Sequence, residues 1–320
     1  MRKTTMALAF LASALDVGLL AASSSERPQL PDMRSANVAA IAVAPDGRTV
    51  ATGERTSLVK LWDGQSRSTS RSLRGHEDRV SALAFSPDSG MLASGSFDRW
   101  IRMWDVRSGK ETRSLSGHSG HIKSLGFSRD GRSLVSTAAD GVRVWDVPSG
   151  SLRLMIPTSR GVVAAAFSPD GKVLASSGGD GVLLWNAATG RLIRRLSPPG
   201  NELILSLAFS ADGRLLAGGG TGRIVSLWDV ESGALRARSD SGADAVRAVA
   251  FLEDDSSLVI IDRRGARLWR PASGKSHRVV DRGAFSAVAV APNGRFLAAA
   301  LGDGEIKLWP SRRVPRNDER

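Results

Sequence analysis

The chain has 320 residues, 42% of them hydrophobic and 24% charged, with a formal net charge of +12 and neither cysteine nor tyrosine. Without cysteine there is no disulfide, thiolate metal site, cysteine nucleophile or lipid-carrying thiol. The basic excess admits nucleic acid, acidic polysaccharide or an anionic membrane surface as partners.

Met1-Arg2-Lys3 opens the chain with positive charge, Met6 to Ala22 is mostly apolar, and Ala21-Ala22-Ser23-Ser24 closes the run with small residues. This is the layout of a secretory signal peptide, which predicts residues 1–24 as a removed leader and the protein as exported, periplasmic or secreted. Asp16 interrupts the apolar run, and the alternative is a leader on a cytoplasmic protein. The uninterrupted apolar length is too short for a stable membrane span. Ser23 to Pro31 is polar and carries prolines, as a linker or edge strand does.

From there a unit repeats seven times. Trp62, Trp104, Trp145, Trp185, Trp228, Trp269 and Trp309 each close a short apolar run, 40–43 residues apart. One strand-ending Trp per such unit is the pattern of a four-stranded propeller blade, and units that cannot bury their own apolar face must stack. The predicted fold is all-β: a seven-bladed β-propeller of four-stranded antiparallel blades over residues 25–310, followed by a charged tail at 311–320. The seventh repeat lacks an outer strand before that tail, so residues 27–33 are expected to close the last blade from the N-terminal side.

Within each unit the elements come in a fixed order. A first strand such as Val80-Ser81-Ala82-Leu83-Ala84-Phe85 has a small residue one place before its end; the set is Ala42, Ala84, Gly126, Ala166, Ala208, Ala250 and Ala289. Small side chains suit strands that converge on a central channel. Next comes a turn such as Ser168-Pro169-Asp170-Gly171, in which Pro presets the first angle and Asp-Gly accepts the reversal. A second apolar strand follows, then a short reversal, the third strand ending at Trp, a turn such as Trp104-Asp105-Val106-Arg107-Ser108-Gly109, and a polar fourth strand suited to an exposed edge.

With these motifs in register, the chain resembles the WD-repeat β-propeller family over about residues 33–310. The resemblance implies hydrogen-bonded tetrads made of His76, Ser94, Asp98 and Trp104 in the second repeat, and of His118, Ser136, Asp140 and Trp145 in the third. Buried imidazole, hydroxyl and indole groups need partners, and a closed network supplies all of them. Thr52 and Ser176 keep the hydroxyl alone, whereas Gly218, Ile260 and Ala299 replace it, which predicts the last three blades as the less rigid part of the ring.

Chemistry is sparse outside this pattern. The histidines are His76, His118, His121 and His277, with no metal-ligand spacing. Most Asp residues sit in periodic turns, and Gly218-Gly219-Gly220-Thr221-Gly222 joins strand to strand without the Lys-Ser/Thr and helix of a phosphate loop. No catalytic residue, metal or cofactor is called for. Trp100 is the one Trp out of step, in the reversal Phe97-Asp98-Arg99-Trp100. Trp and Arg dominate binding hot spots, so Arg79, Arg99, Trp100 and His121 are the partner-binding candidates. Packing of Trp100 over Phe97 or a neighbouring blade is the competing account. The expected function is a non-catalytic interaction scaffold for a protein or peptide; the alternative is nucleic-acid or other polyanion binding through the basic surface, and a propeller enzyme ranks last.

Overall fold

The computed structural model describes residues 35, 37–64, 66, 68–240, 245–252, 257–262, 265–281, 285–291, 296–301 and 305–310. They form seven antiparallel sheets, or blades, over residues 38–73, 80–115, 124–157, 162–196, 204–240, 248–281 and 285–310. Six blades have four strands in simple sequential order and the seventh has three, Phe285–Val290, Phe296–Leu301 and Ile306–Pro310. The strand expected from residues 27–33 lies outside the described residues, as do the predicted leader and the C-terminal tail.

Burial falls from the middle of each blade to its rim, and composition follows. In blade 2 the second strand, Met91–Ser96, is buried at five of six positions because neighbouring blades cover both of its faces. Its fourth strand, Glu111–Leu115, exposes everything but Leu115. The polar residues there suit an edge whose outer backbone groups meet water.

The core is divided among the junctions between consecutive blades rather than gathered at one centre. Ile101, Met103 and Leu115 of blade 2 pack with Ile122, Leu134 and Trp145 of blade 3, and the same arrangement recurs around the ring. Val38, Ile41 and Val50 of blade 1 meet Ala298, Ala300 and Ile306 of blade 7, which closes the circle. Each described indole of the repeat except half-buried Trp185 is at most 3% exposed, and it fills the seam with the preceding blade. Burying an indole of roughly 150–250 Å² contributes about 4–6 kcal/mol as an upper bound. In blades 1–5 the pairing of third and fourth strands shifts register immediately before the Trp.

The small residues of the first strands also meet the neighbouring blade. Ala42 packs with Phe85 and Leu92 of blade 2, and Ala208 lies against the cluster of blade 6. A Cβ on Gly126 would stand 3.7 Å from the Ala165 carbonyl. At these positions the next blade lies within ordinary contact distance of the small side chain.

Candidate functional site

Two closed networks pin the second and third blades. Trp104 Nε1 donates to Ser94 Oγ at 2.8 Å, and His76 places Nε2 2.7 Å from the same oxygen and Nδ1 2.7 Å from Asp98 Oδ2. Trp145, Ser136, His118 and Asp140 repeat the arrangement at 2.8, 2.7 and 2.7 Å. The indole uses a serine lone pair, so the hydroxyl hydrogen goes to histidine Nε2 and the Nδ1 proton goes to the carboxylate. Burial therefore holds His118 below its ordinary value, with Asp140 offsetting this only in part. Burial alone would raise Asp98, but the bond from His76 and the N–H groups of Trp100 and Glu77 outweigh it and lower its pKa.

Blade 1 keeps the indole–hydroxyl bond that the repeat pointed to and adds a carboxylate network that it did not. Trp62 Nε1 donates to Thr52 Oγ1 at 2.8 Å. Two places along the strand, buried Glu54 accepts from Ser35 Oγ, from Thr56 Oγ1 at 2.8 Å and from Lys60 Nζ at 2.7 Å. Burial raises this carboxyl, and those three donors together bring it below the usual range.

Several exposed arginines also bond across the junctions between blades. Arg71 Nη2 reaches Arg107 O at 2.6 Å, Arg113 reaches Ser149 O at 2.5 Å and Pro148 O at 2.9 Å, Arg153 reaches Ala187 O at 3.3 Å, and Arg194 reaches Glu231 O at 2.9 Å. Each runs from a fourth strand to the turn after the Trp of the following blade. Part of the basic excess therefore joins blades together.

The partner-binding candidates converge at one end of blades 2 and 3. The loop of Glu77, Asp78 and Arg79 is tied to the reversal 97–100: Phe97 N–H donates to Arg79 O at 2.9 Å, Ser96 Oγ to Asp78 O at 2.9 Å, and Glu77 N–H to Asp98 Oδ2 at 3.1 Å. Arg79 lies over the Phe97 ring at 5.1 Å and Lys123 at 5.7 Å, within cation–π range. His121 stacks on Phe97 at 4.3 Å and donates Nδ1–H to Phe97 O at 2.7 Å. The ring that covers Phe97 is thus His121, and Trp100 stands 41% exposed. Arg99 is exposed beside it in the left-handed region, at φ 74°, which is rare for a side chain of its kind. Arg263 and Arg264, of the corresponding reversal in blade 6, lie outside the described residues.

Blade 1's matching reversal borders a cleft of about 340 Å³ lined by Thr56, Ser57, Leu58, Arg74, Gly75 and His76. Among the described residues no group of three or more His, Asp or Glu could hold a metal ion, and no helix is long and apolar enough to cross a membrane. The turn carboxylates have local partners: Asp88, Asp130, Asp170 and Asp212 each accept from the serine two residues earlier.

The family model described as WD domain, G-beta repeat matches residues 31–63, 67–105, 109–146, 151–186, 190–229 and 274–310. No curated protein matches the chain.

Proposed function

The chain belongs to the WD domain, G-beta repeat family, whose propellers commonly serve as protein-interaction scaffolds, and from that premise we propose that it is a non-catalytic platform binding a protein or peptide at the end of the ring where Phe97, Arg99 and Trp100 turn. The supporting observation is an exposed indole on a loop braced by its neighbours. The hydrogen bonds to Arg79, Asp78 and Glu77 hold this reversal in place, so little ordering entropy opposes binding there. Arg71, Arg113, Arg153 and Arg194 each bond a carbonyl oxygen of the next blade, so these arginines have a structural role as well as a charge.

Affinity capture from the source organism, comparing the wild type with Trp100→Ala combined with Arg99→Ala, tests this reading. Loss of specific partners from the double variant is expected; retention of every captured protein would remove this reversal from the binding surface. Partner binding that instead weakens steeply and uniformly with salt would favour a polyanion. The leader layout supports export of the mature protein as part of this reading, and N-terminal sequencing, with cleavage expected near Ala22 to Ser24, tests it.

A further inference from the structure

A row of cationic and aromatic side chains crosses three blades at this end of the ring. Arg55 N–H bonds Asn37 O at 2.9 Å as Phe97 N–H bonds Arg79 O, so Arg55 and Phe97 hold equivalent places in blades 1 and 2. Arg79 contacts Phe97 at 5.1 Å, and the chain segments carrying Arg55 and Arg79 abut, since a Cβ on Gly53 would stand 2.5 Å from Val80 Cγ1. Burial first, and then the like charge of Arg55, hold the Arg79 guanidinium below its ordinary value, with Asp78 offsetting only part. Its Nε is buried without a hydrogen-bond partner. His121 and Lys123 of blade 3 complete the row around the phenyl ring. In blade 4 the same level carries Gly161 and Gly179, whose backbones pair at 3.4 Å, with Arg160 beside them and no ring. Among the described reversals of blades 1 to 4 the strands are alike, while this grouping of rings and cations falls on blades 1 to 3.

Resting on the platform reading, we propose that this row recognises an acidic peptide segment of the partner, with Arg55 and Arg79 taking a side-chain carboxylate and Trp100 taking an apolar residue near it. Two guanidinium groups carried on abutting blades can share one carboxylate, which offsets their like charge while accepting charge-assisted hydrogen bonds. Arg55 adjoins Thr56 and Ser57, so the segment can continue from the row into the cleft of about 340 Å³ beside His76. A nucleic acid fits less well. Its regularly spaced phosphates would run over the exposed Glu77 and Asp78 next to Arg79, whereas a peptide can place one carboxylate and turn away.

The test uses the full chain and a fluorescently labelled peptide alternating glutamate with leucine, against the same peptide with glutamine in place of glutamate. By anisotropy the glutamate peptide is expected to bind roughly tenfold more tightly, and Arg55→Gln and Arg79→Gln each to erase that preference. Arg55 is exposed, so its variant remains informative even where loss of Arg79 disturbs the loop. Equal binding of the two peptides, or an undiminished preference in Arg55→Gln, overturns the proposal. So does a duplex DNA probe that displaces the peptide with a steep salt dependence. If the peptides bind equally while captured partners still need Trp100, the acidic ligand is wrong and the platform stands. If the glutamate preference depends on Arg55 while capture ignores Trp100, the ligand class stands and the role of Trp100 falls.

Discussion

Arg113 crosses from blade 2 to blade 3 over Gly150, whose φ of +73° opens the turn that presents the Ser149 and Pro148 carbonyls to the guanidinium. A Cβ at Gly150 would collide with the arginine side chain, just as one at Gly109 would come 2.7 Å from Arg71 Cδ. The glycine thus provides both the backbone conformation and the space for its neighbour's arginine.

Gly150→Ala is therefore expected to destabilise the protein by about 1–3 kcal/mol, combining left-handed strain with a clash. Gly171 has a similar φ of +70° with nothing within 4 Å of the added atom, so Gly171→Ala isolates the backbone cost of about 1 kcal/mol. In denaturant titrations Gly150→Ala should cost more, and Arg113→Ala should close most of the gap in a double-mutant cycle. Equal costs at the two glycines would disprove the steric link.

Ser94 serves both an indole and an imidazole, whereas Thr52 serves the indole of Trp62. Ser94→Ala leaves two buried groups unpaired and is expected to cost about 2–4 kcal/mol, against about 1–3 kcal/mol for Thr52→Val. Chemical denaturation decides between them. A Ser94→Ala penalty no larger than that of Thr52→Val would mean that the histidine adds no stability through this hydroxyl.

Acid should loosen blade 3 in two stages. The folded-state pKa of His118 lies below its unfolded value, so the unfolded chain takes up the proton first and stability falls as pH drops below about 6.5. Asp140 is also lowered: burial would raise it, but the bonds from His118 and the Ser119 N–H prevail. Its contribution is complete above its unfolded value and is lost as pH falls below about 3.9. Melting temperature against pH should show both declines, and His118→Gln should flatten the upper one. An unaltered slope in that variant would assign the upper decline elsewhere.

Trp100→Ala should cost no more than about 1 kcal/mol, well below the loss of an indole in a seam, because 41% of the residue is exposed. Arg99→Gly should raise stability by up to about 1 kcal/mol through relief at φ 74°. Loss of partner binding in Trp100→Ala with an unchanged melting curve would separate recognition from folding; a large fall in stability would show a packing role for the indole.

Hydrogen exchange should run faster in the second strands of blades 5, 6 and 7 than in those of blades 2 and 3. Gly218, Ile260 and Ala299 sit where Ser94 and Ser136 anchor their networks, so opening there breaks packing but no such bonds. Uniform protection around the ring would show that apolar packing alone sets blade rigidity.

Contacts within a blade were legible in the sequence because they recur at a fixed offset. The spacing of Ser94 to Trp104 and the Asp-Gly turns repeat often enough to expose a common geometry. Contacts between blades were not. Arg113 binds carbonyl groups some 36 residues ahead, and a carbonyl has no residue identity to read. The Glu54 network was hidden for a different reason: Ser35, Thr56 and Lys60 occur together only once, so no sibling repeat points to them. His121 and Phe97 likewise meet across a boundary where the next blade offers Ala139, and only coordinates bring them together.

The arginine links have a consequence for how such a ring can grow. Each ties a blade only to its successor, and the successor contributes main-chain oxygen and a glycine turn, which the repeat carries almost everywhere. A blade duplicated or excised whole would therefore present its arginine to an equivalent turn on a new neighbour. The joints are interchangeable, so gene duplication can lengthen the array without new fasteners, while the Arg55–His121 row, built from residues that differ from blade to blade, would not be copied intact.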